Sequence, residues 1–225
     1  IWNRNYISNV QITQAENFGI EGRGNFYEGT GAIRDVLQNH MMQIIAFLAM
    51  EPPRWDNHEM LRNEQYKIFQ FIPPLKPEQV TRGQYEGYTD EPGVAPNSTV
   101  ETYDAAKIYI QNWRWKGVPF YVRVGKEMPE SCVEIRVNLR RPPQVVFDEP
   151  NAGSRNFLRF RIQPTVNIGI GARAKIPGEE MLGEDVLLQF IDPIDDEMTP
   201  YERLIGDAMR GDHSLFARQD AVEAQ

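Results

Sequence analysis

One histidine stands in a setting where an imidazole could act as a catalyst. His40 falls in step with apolar residues at three- and four-residue spacing, which predicts that it lies on the buried stripe of a helix with Ile33, Val36, Leu37 and Ile44. A buried imidazole must find polar partners, and its ordinary pKa near neutrality lets it take up and release a proton. Two interpretations stay open: a general base in a cleft, or a hydrogen-bonded histidine packed in the core.

Three charged side chains could bind a polar ligand. Asp35 lies about one turn before His40, Glu16 precedes a glycine-rich stretch, and Lys126 follows a strand-like run and Gly125. A carboxylate accepts several hydrogen bonds, and a lysine after a strand can reach a phosphate or hydroxyl at the end of the sheet. Each also has an ordinary explanation: Asp35 as a partner of the helix dipole, Glu16 as a solvated loop carboxylate, and Lys126 as a solvated turn lysine.

Other common catalytic patterns are not found. The string GIGARA at 169–174 matches a dinucleotide fingerprint, but the sequence KIPG that follows it cannot open the helix that this motif requires. There is no phosphate loop and no nucleophile elbow. The three histidines, His40, His58 and His213, are scattered and lack zinc spacing. We therefore expect no metal site.

Strands are predicted from runs rich in β-branched and aromatic residues. Alternation is clear where Ile135 and Val137 alternate with Glu134 and Arg136, which indicates one buried face and one face open to solvent or a partner. No regular helix separates the later runs, so the sheet should be largely antiparallel. The predicted strands cover residues 6–13, 118–124, 132–139, 156–163, 166–170 and 185–191.

Three helices complete the predicted fold. The first carries His40, with Thr30 as its cap and Pro52-Pro53 as its stop, the second covers about 57–71, and the last covers about 200–210. Helices grouped before strands favour an α+β fold, with a large, mostly antiparallel β-sheet and helices packed on one face.

Composition narrows the class of protein further. The chain has 225 residues and a formal net charge of -8, which argues against non-specific nucleic-acid binding. Cys132 is the only cysteine, so a reducing, cytoplasmic location fits best. No apolar run reaches the roughly 18 residues of a membrane span, and we expect neither nucleic acid nor membrane as a partner.

Longer motifs carry a resemblance to a known family. In order along the chain, six segments resemble segments of glucose-6-phosphate dehydrogenases: ENFGIEGRGNFY at 16–27, IRDVLQNHMMQ at 33–43, RGQY at 82–85, WRWKGVPFYVRVGK at 113–126, RIQP at 161–164 and YERLI at 201–205. The matches run from end to end and all belong to the C-terminal, substrate-binding and dimerisation domain. The resemblance therefore implies one domain over residues 1–225.

The resemblance implies a reaction and a role for each site residue. The family oxidises glucose 6-phosphate to 6-phosphogluconolactone in the pentose phosphate pathway and transfers a hydride to NADP or NAD. His40 matches the general base, Asp35 and Glu16 match carboxylates that bind sugar hydroxyls, and Lys126 matches a substrate-binding lysine. Gln163 lies in a motif near the substrate. A homodimer or homotetramer formed through the β-sheet is also implied, with the polar face of the sheet expected at the contact.

The chain also departs from the family. The coenzyme-binding Rossmann domain is absent from it, so NADP would be bound mainly by that missing half, and the chain alone is expected to be inactive. Ser131 and Cys132 stand where the family often has a basic residue, which weakens the expectation of a structural NADP site. The alternative is a catalytically silent sugar-phosphate-binding or oligomerisation module.

Overall fold

The fold is a single sheet with helices on one face, as the sequence predicted. A computed structural model describes residues 1–54, 58–142, 155–192, 199–213 and 216–225. Eight strands form one sheet in the order β2-β3-β4-β1-β5-β6-β7-β8. The strands are β1 Ile7–Ala15, β2 Val80–Gly83, β3 Tyr103–Tyr109, β4 Pro119–Gly125, β5 Cys132–Leu139, β6 Phe157–Gln163, β7 Asn167–Lys175 and β8 Gly183–Ile191.

All strand pairs in this sheet are antiparallel except one. The first strand lies at the centre, between β4, with which it is parallel, and β5, with which it is antiparallel. A parallel pair needs a long crossover connection, and the helices and strands between β1 and β4 provide it. Both strands of the parallel pair therefore end at the same edge of the sheet.

Four of the described helices follow the first strand and form the second layer, and the two others lie near the C-terminus. They are α1 Gly24–Ala32, the π-helix Ile33–Met41, α2 Met42–Ala49, α3 His58–Gln70, α4 Pro200–Arg210 and α5 Gln219–Glu223. The second predicted helix corresponds to α3, although Asn57 lies outside the described residues. The predicted helix at 200–210 is confirmed, and Thr199 caps it by accepting a hydrogen bond from the Glu202 amide.

One apolar core joins the two layers. Alternate residues of the central strands, among them Ile12, Val122 and Ile135, point toward the helices and are almost fully buried. Met41 and Ile45 face them from the helical layer. Burying such side chains contributes about 1.5–3 kcal/mol each, so this contact fixes the helices on the sheet.

Two parts of the sequence-based description need correction or addition. The glycine-rich stretch at 19–31, whose glycine spacing suits a loop, includes helix α1, and the strands β2 and β3 were not predicted. The string at 169–174 lies within β7 and no helix follows it, which confirms that it is not a dinucleotide fingerprint.

Candidate active site

A charged pair lies where the two parallel strands end. Glu16 directly follows β1 and Lys126 directly follows β4. The Glu16 amide donates to the Gly125 carbonyl at 3.0 Å, and the Lys126 amide donates to the Thr102 carbonyl at 3.1 Å. These backbone bonds hold the two residues side by side, and the Lys126 ammonium donates a hydrogen bond to the Glu16 carboxylate.

Lys126 is buried, with only 6% of its surface exposed. Its Nζ lies 5.4 Å from the ring centroid of Phe18 and 5.5 Å from that of Tyr27, within the range of cation–π attraction. A desolvated ammonium needs such compensation. The interpretation of Lys126 as a solvated turn lysine is therefore wrong, and its predicted position at the end of the sheet is confirmed.

Tyr27 is a site residue that the sequence did not reveal. It is 2% exposed, lines a crevice with Glu16 and Lys126, and its hydroxyl has no hydrogen-bond partner within the described part of the chain. Burial raises the pKa of Tyr27, and the charges of Asp35, Glu101 and Glu16 raise it further. The phenol thus stays protonated. Asp35 directly precedes Val36, which also lines the crevice.

The segment that carries Asp35 and His40 is a π-helix rather than an α-helix. Its backbone hydrogen bonds join residues five positions apart instead of four, as between the Met42 amide and the Leu37 carbonyl. Each residue therefore turns the chain by about 80° instead of about 100°. His40 consequently lies about 50° from Asp35 around the axis, whereas an α-helix would separate them by about 140°.

The expectation that His40 lies on the buried stripe is wrong. The buried residues of the π-helix are Val36, Leu37 and Met41, and His40 is exposed. In an α-helix His40 would fall between Val36 and Leu37, but the π-helical turn rotates it out of the core toward the side of Asp35. The interpretation as a packed core histidine is excluded. Within the described residues its ring makes no hydrogen bond or ion pair.

The start of this helix also differs from the expectation. Thr30 is not the cap, since its hydroxyl donates to the Phe26 carbonyl of α1. The helical path is broken at Gly31, where φ is 68° and ψ is 174°. The amide of Ile33 instead donates to Oε1 of Glu101 at 3.1 Å.

Gln163 does not reach the crevice. It ends β6, is exposed, and pairs with Val133 of β5, which in turn pairs with Gln14 of β1. Neighbouring strands lie about 4.8 Å apart, so Gln163 lies roughly 10 Å across the sheet from β1. It shares the edge at which β1 ends but not the cluster of Glu16, Lys126 and Tyr27.

The sequence did not predict every residue of this cluster. Tyr27 was placed in a loop, and Glu101 and Thr102 precede β3, which was not predicted. The segment at 24–32, GNFYEGTGA, gave no helix signal for Tyr27, because three of its nine residues are glycine. Nothing in the local sequence of 101–102 indicates its contact with a helix some seventy residues earlier, since that contact depends on the tertiary fold.

The described residues contain neither a candidate metal site nor a candidate membrane span. No group of three or more His, Cys, Asp or Glu side chains in that part of the chain is arranged to hold a metal ion. Among the helices that the structure describes, none is both long enough and apolar enough to cross a membrane.

Comparison with known sequences supports the resemblance over the full chain. The family model described as glucose-6-phosphate dehydrogenase, C-terminal domain, matches residues 1–225. Glucose-6-phosphate 1-dehydrogenase 1 of Mycobacterium tuberculosis is 41% identical over 99% of this chain and 48% of its own length. The Bacillus subtilis glucose-6-phosphate 1-dehydrogenase is 40% identical over 99% of this chain and 49% of its own length.

Solved structures give the same result. Glucose-6-phosphate 1-dehydrogenase from Mycobacterium avium superposes with a TM-score of 0.91 at 42% identity, over 99% of this chain and 48% of that chain. A glucose-6-phosphate dehydrogenase in complex with its substrate glucose-6-phosphate gives 0.88 at 35% identity, again over 99% and 48%. The chain thus spans about half the length of the curated relatives it matches. By sequence and by structure, it belongs to the family of glucose-6-phosphate dehydrogenase C-terminal domains.

Proposed function

We propose that this chain is the substrate-binding half of a glucose-6-phosphate dehydrogenase. Residues 1–225 form one domain, and the coenzyme-binding half present in the relatives completes the enzyme. The observation that carries the proposal is the hydrogen-bonded pair of Glu16 and Lys126 at the edge of the sheet, in a crevice that the helix carrying Asp35 and His40 also lines through Val36. The reaction oxidises the anomeric carbon of glucose 6-phosphate to 6-phosphogluconolactone.

His40 acts as the general base. The anomeric carbon loses a hydride while its hydroxyl loses a proton, and the imidazole takes that proton as the carbon–oxygen double bond forms. NADP accepts the hydride when it is bound. The dinucleotide-like string at 169–174 lies within β7 and cannot hold a pyrophosphate at the start of a helix, so we expect the coenzyme to be bound mainly by the other half.

Carboxylates and an ammonium group bind the sugar phosphate. Asp35 and Glu16 accept hydrogen bonds from sugar hydroxyls. The Lys126 ammonium has three N–H donors and uses one of them in its hydrogen bond to Glu16. The other two can donate to substrate oxygens. Gln163 lies outside this crevice, at the same edge of the sheet, and would contact only a part of the substrate that extends toward β6.

A catalytically silent module is the second candidate. A general base usually depends on a partner that orients its ring, and His40 has none among the described residues. A domain that only binds sugar phosphate or only assembles would show the same exposed histidine. The two candidates differ in whether His40 is needed for turnover.

Self-association through the β-sheet forms a homodimer or homotetramer. The core face of the sheet continues past the helices into β6, β7 and β8, where large apolar side chains are exposed: Ile168 is 44%, Ile170 50%, Leu188 72% and Phe190 61% exposed. We call this set the apolar sheet patch. The sequence favoured the polar face of the sheet as the contact between copies, but burial of the apolar sheet patch gives the larger driving force for association. A second copy related by twofold symmetry is the simplest occupant.

The location that we propose for the protein is the cytoplasm. Cys132 is unpaired and buried, which suits that reducing compartment.

Replacement of His40 tests the proposed reaction. In the full-length enzyme, His40→Asn should lower kcat by about a hundred- to ten-thousand-fold, because a positioned base contributes about that much. KM should stay within about tenfold, since asparagine can still hydrogen-bond the sugar. The melting temperature should not change, because His40 is exposed.

His213→Asn provides the control, since His213 is also exposed and lies far along the chain. Its kcat should equal that of the unmodified enzyme with glucose 6-phosphate and NADP. A His40→Asn enzyme with normal kcat would reject the dehydrogenase mechanism and favour the silent module.

A further inference from the structure

The helix that carries Asp35 and His40 begins directly after a kink at Gly31. At Gly31 the backbone has a positive φ of 68°, so the helical path of α1 does not continue through it. Amides at the start of a helix lack acceptors within the helix. Here the Ala32 amide donates to the Glu101 carbonyl at 2.9 Å, and the Ile33 amide donates to the Glu101 carboxylate at 3.1 Å. One residue therefore supplies both acceptors.

Glu101 also packs directly against the kink at Gly31. A Cβ added at Gly31 would lie 2.5 Å from Oε1 of Glu101 and 3.0 Å from its Cδ. Only glycine leaves room for the carboxylate at that distance. A negative charge is also favourable at the start of a helix, so geometry and electrostatics both hold Glu101 in this position.

The neighbouring residue holds the other half of the site. Thr102 is fully buried, its amide donates to the Gly83 carbonyl, and its carbonyl accepts the Lys126 amide at 3.1 Å. Its hydroxyl accepts the Tyr85 amide at 2.9 Å. The pair Glu101-Thr102 thus joins the start of the π-helix to the turn that carries Lys126.

The negative charge of Glu101 affects the pKa of two neighbouring side chains. It contributes to the raised pKa of Tyr27, which lines the crevice with Lys126. It also contributes to the raised pKa of the buried Asp104 carboxyl on β3. The Glu101 carboxylate therefore lies close to both the crevice and the helix start.

We infer that Glu101 is a positioning residue, which fixes the π-helix so that Asp35 and His40 face the substrate bound at Lys126. The inference rests on the function proposed above for those three residues. Glu101 itself need not touch the substrate. Its loss should let the helix start move relative to Lys126, and a misplacement of about 1 Å can lower a rate by about a hundredfold.

Two variants of Glu101 and one matched control test this inference. In the full-length enzyme, Glu101→Ala removes the side-chain acceptor, whereas Glu101→Gln keeps an acceptor oxygen at the same length. The control is Glu28→Ala, because Glu28 also accepts two side-chain hydrogen bonds, from Tyr88 at 2.7 Å and from Ser98 at 2.5 Å, but does not contact the π-helix start. For each protein, kcat, KM, the melting temperature and the hydrogen exchange of amides 32–35 are measured.

Glu101→Ala should lower kcat/KM by at least about tenfold and speed the exchange of amides 32–35. Glu101→Gln should restore kcat/KM to within about threefold of the unmodified enzyme. Glu28→Ala should lower the melting temperature while leaving kcat and those amides unchanged. If Glu101→Ala does not fold, Glu101→Asp, whose shorter side chain cannot reach the Ile33 amide, should show the same tenfold loss.

Unchanged kcat/KM in Glu101→Ala, despite faster exchange at 32–35, would overturn the inference. An equal loss in the Ala and Gln variants would also overturn it, since the glutamine retains the acceptor. Failure of the proposed function is recognised separately, by a fully active His40→Asn enzyme. In that case the exchange data would still report whether Glu101 holds the helix start.

Discussion

Lys126 shows how much of a residue's role depends on side chains that the local sequence does not specify. Its position after a strand and a glycine was readable from the sequence. Its burial was not, because the groups around it are Glu16, Phe18 and Tyr27, which come from a segment about a hundred residues earlier. The same limit applies to Glu101, whose contact with Ile33 exists only in the folded chain.

Lys126→Ala in the full-length enzyme should mainly weaken substrate binding. A contact that is present in both the ground state and the transition state changes KM more than kcat, so KM for glucose 6-phosphate should rise by about tenfold or more, with kcat within about fivefold. Steady-state kinetics measure both constants. Lys116→Ala, at an exposed lysine, is the control and should change neither; a collapse of kcat at unchanged KM would instead make Lys126 a participant in the chemistry.

Asp104 should make the stability of the fold depend on pH. It is fully buried, and within the described residues neither carboxylate oxygen has a hydrogen-bond partner. Burial and the nearby Glu101 charge raise the pKa of Asp104 to about 6, although Arg82 opposes this. In the unfolded chain it would be about 3.9, so the stability present below pH 4 is lost as the pH rises from about 4 through 6.

Asp104→Asn should therefore raise the free energy of unfolding by about 1–3 kcal/mol at pH 7.5, and by less at pH 4.5. Urea unfolding at the two pH values measures the difference. Asp90→Asn, at an exposed aspartate, should have no such pH-dependent effect. Equal gains from Asp104→Asn at both pH values would show that Asp104 is already neutral, or fully ionised, across the whole range.

At the scale of elements, the sequence predicted the existence of the site helix but not its geometry. Apolar spacing at 33, 36, 37, 41 and 44 fits an α-helix, and that fit placed His40 on the buried side. The π-helical turn turns it outward instead. The apolar spacing does not separate the two helices here, because the buried residues Val36, Leu37 and Met41 share one face in either kind of helix. Helices of this kind often occur at functional sites.

Gly31→Ala should destabilise the protein by about 1–3 kcal/mol, because alanine is strained at its backbone angles and its Cβ would meet Glu101 at 2.5 Å. Thermal unfolding measures the effect. Gly29→Ala is the matched control in α1, since a Cβ there meets nothing within 4 Å and no positive φ is required. The control should stabilise the protein by about 0.5–1 kcal/mol. Unchanged stability in Gly31→Ala would mean that the fold does not require the kink at Gly31.

For the whole molecule, the sequence predicted the α+β layers and the mostly antiparallel sheet. Six predicted strands correspond to observed ones, because their alternation or β-branched content is strong. Strand β3, with the sequence YDAAKIY, was missed because alanine, aspartate and lysine are uncommon in strands. The parallel pairing of β1 with β4 could not be predicted, since it depends on the path of the helices between them.

Leu188→Asp should weaken self-association if the apolar sheet patch is the contact. A charge placed in a buried apolar interface is costly to desolvate, so the dissociation constant should rise by about tenfold or more. Sedimentation velocity over a range of concentrations measures it. Trp113→Asp, at a side chain that is 86% exposed and outside the patch, should leave the assembly unchanged; the reverse pattern would locate the contact elsewhere.

The central position of the first strand determines when the sheet can form during translation. Residues of β1 pair with residues of β4 that lie 110 positions later, as for Thr13 and Arg123. At about 5–20 residues per second, a ribosome needs roughly 5–20 s to supply that partner. During this time the apolar side of β1, with Val10 and Ile12, has no strand to pair with. The nascent chain should therefore depend on chaperones until β4 and β5 have emerged, and it should gain protease resistance only after residue 139 has left the exit tunnel.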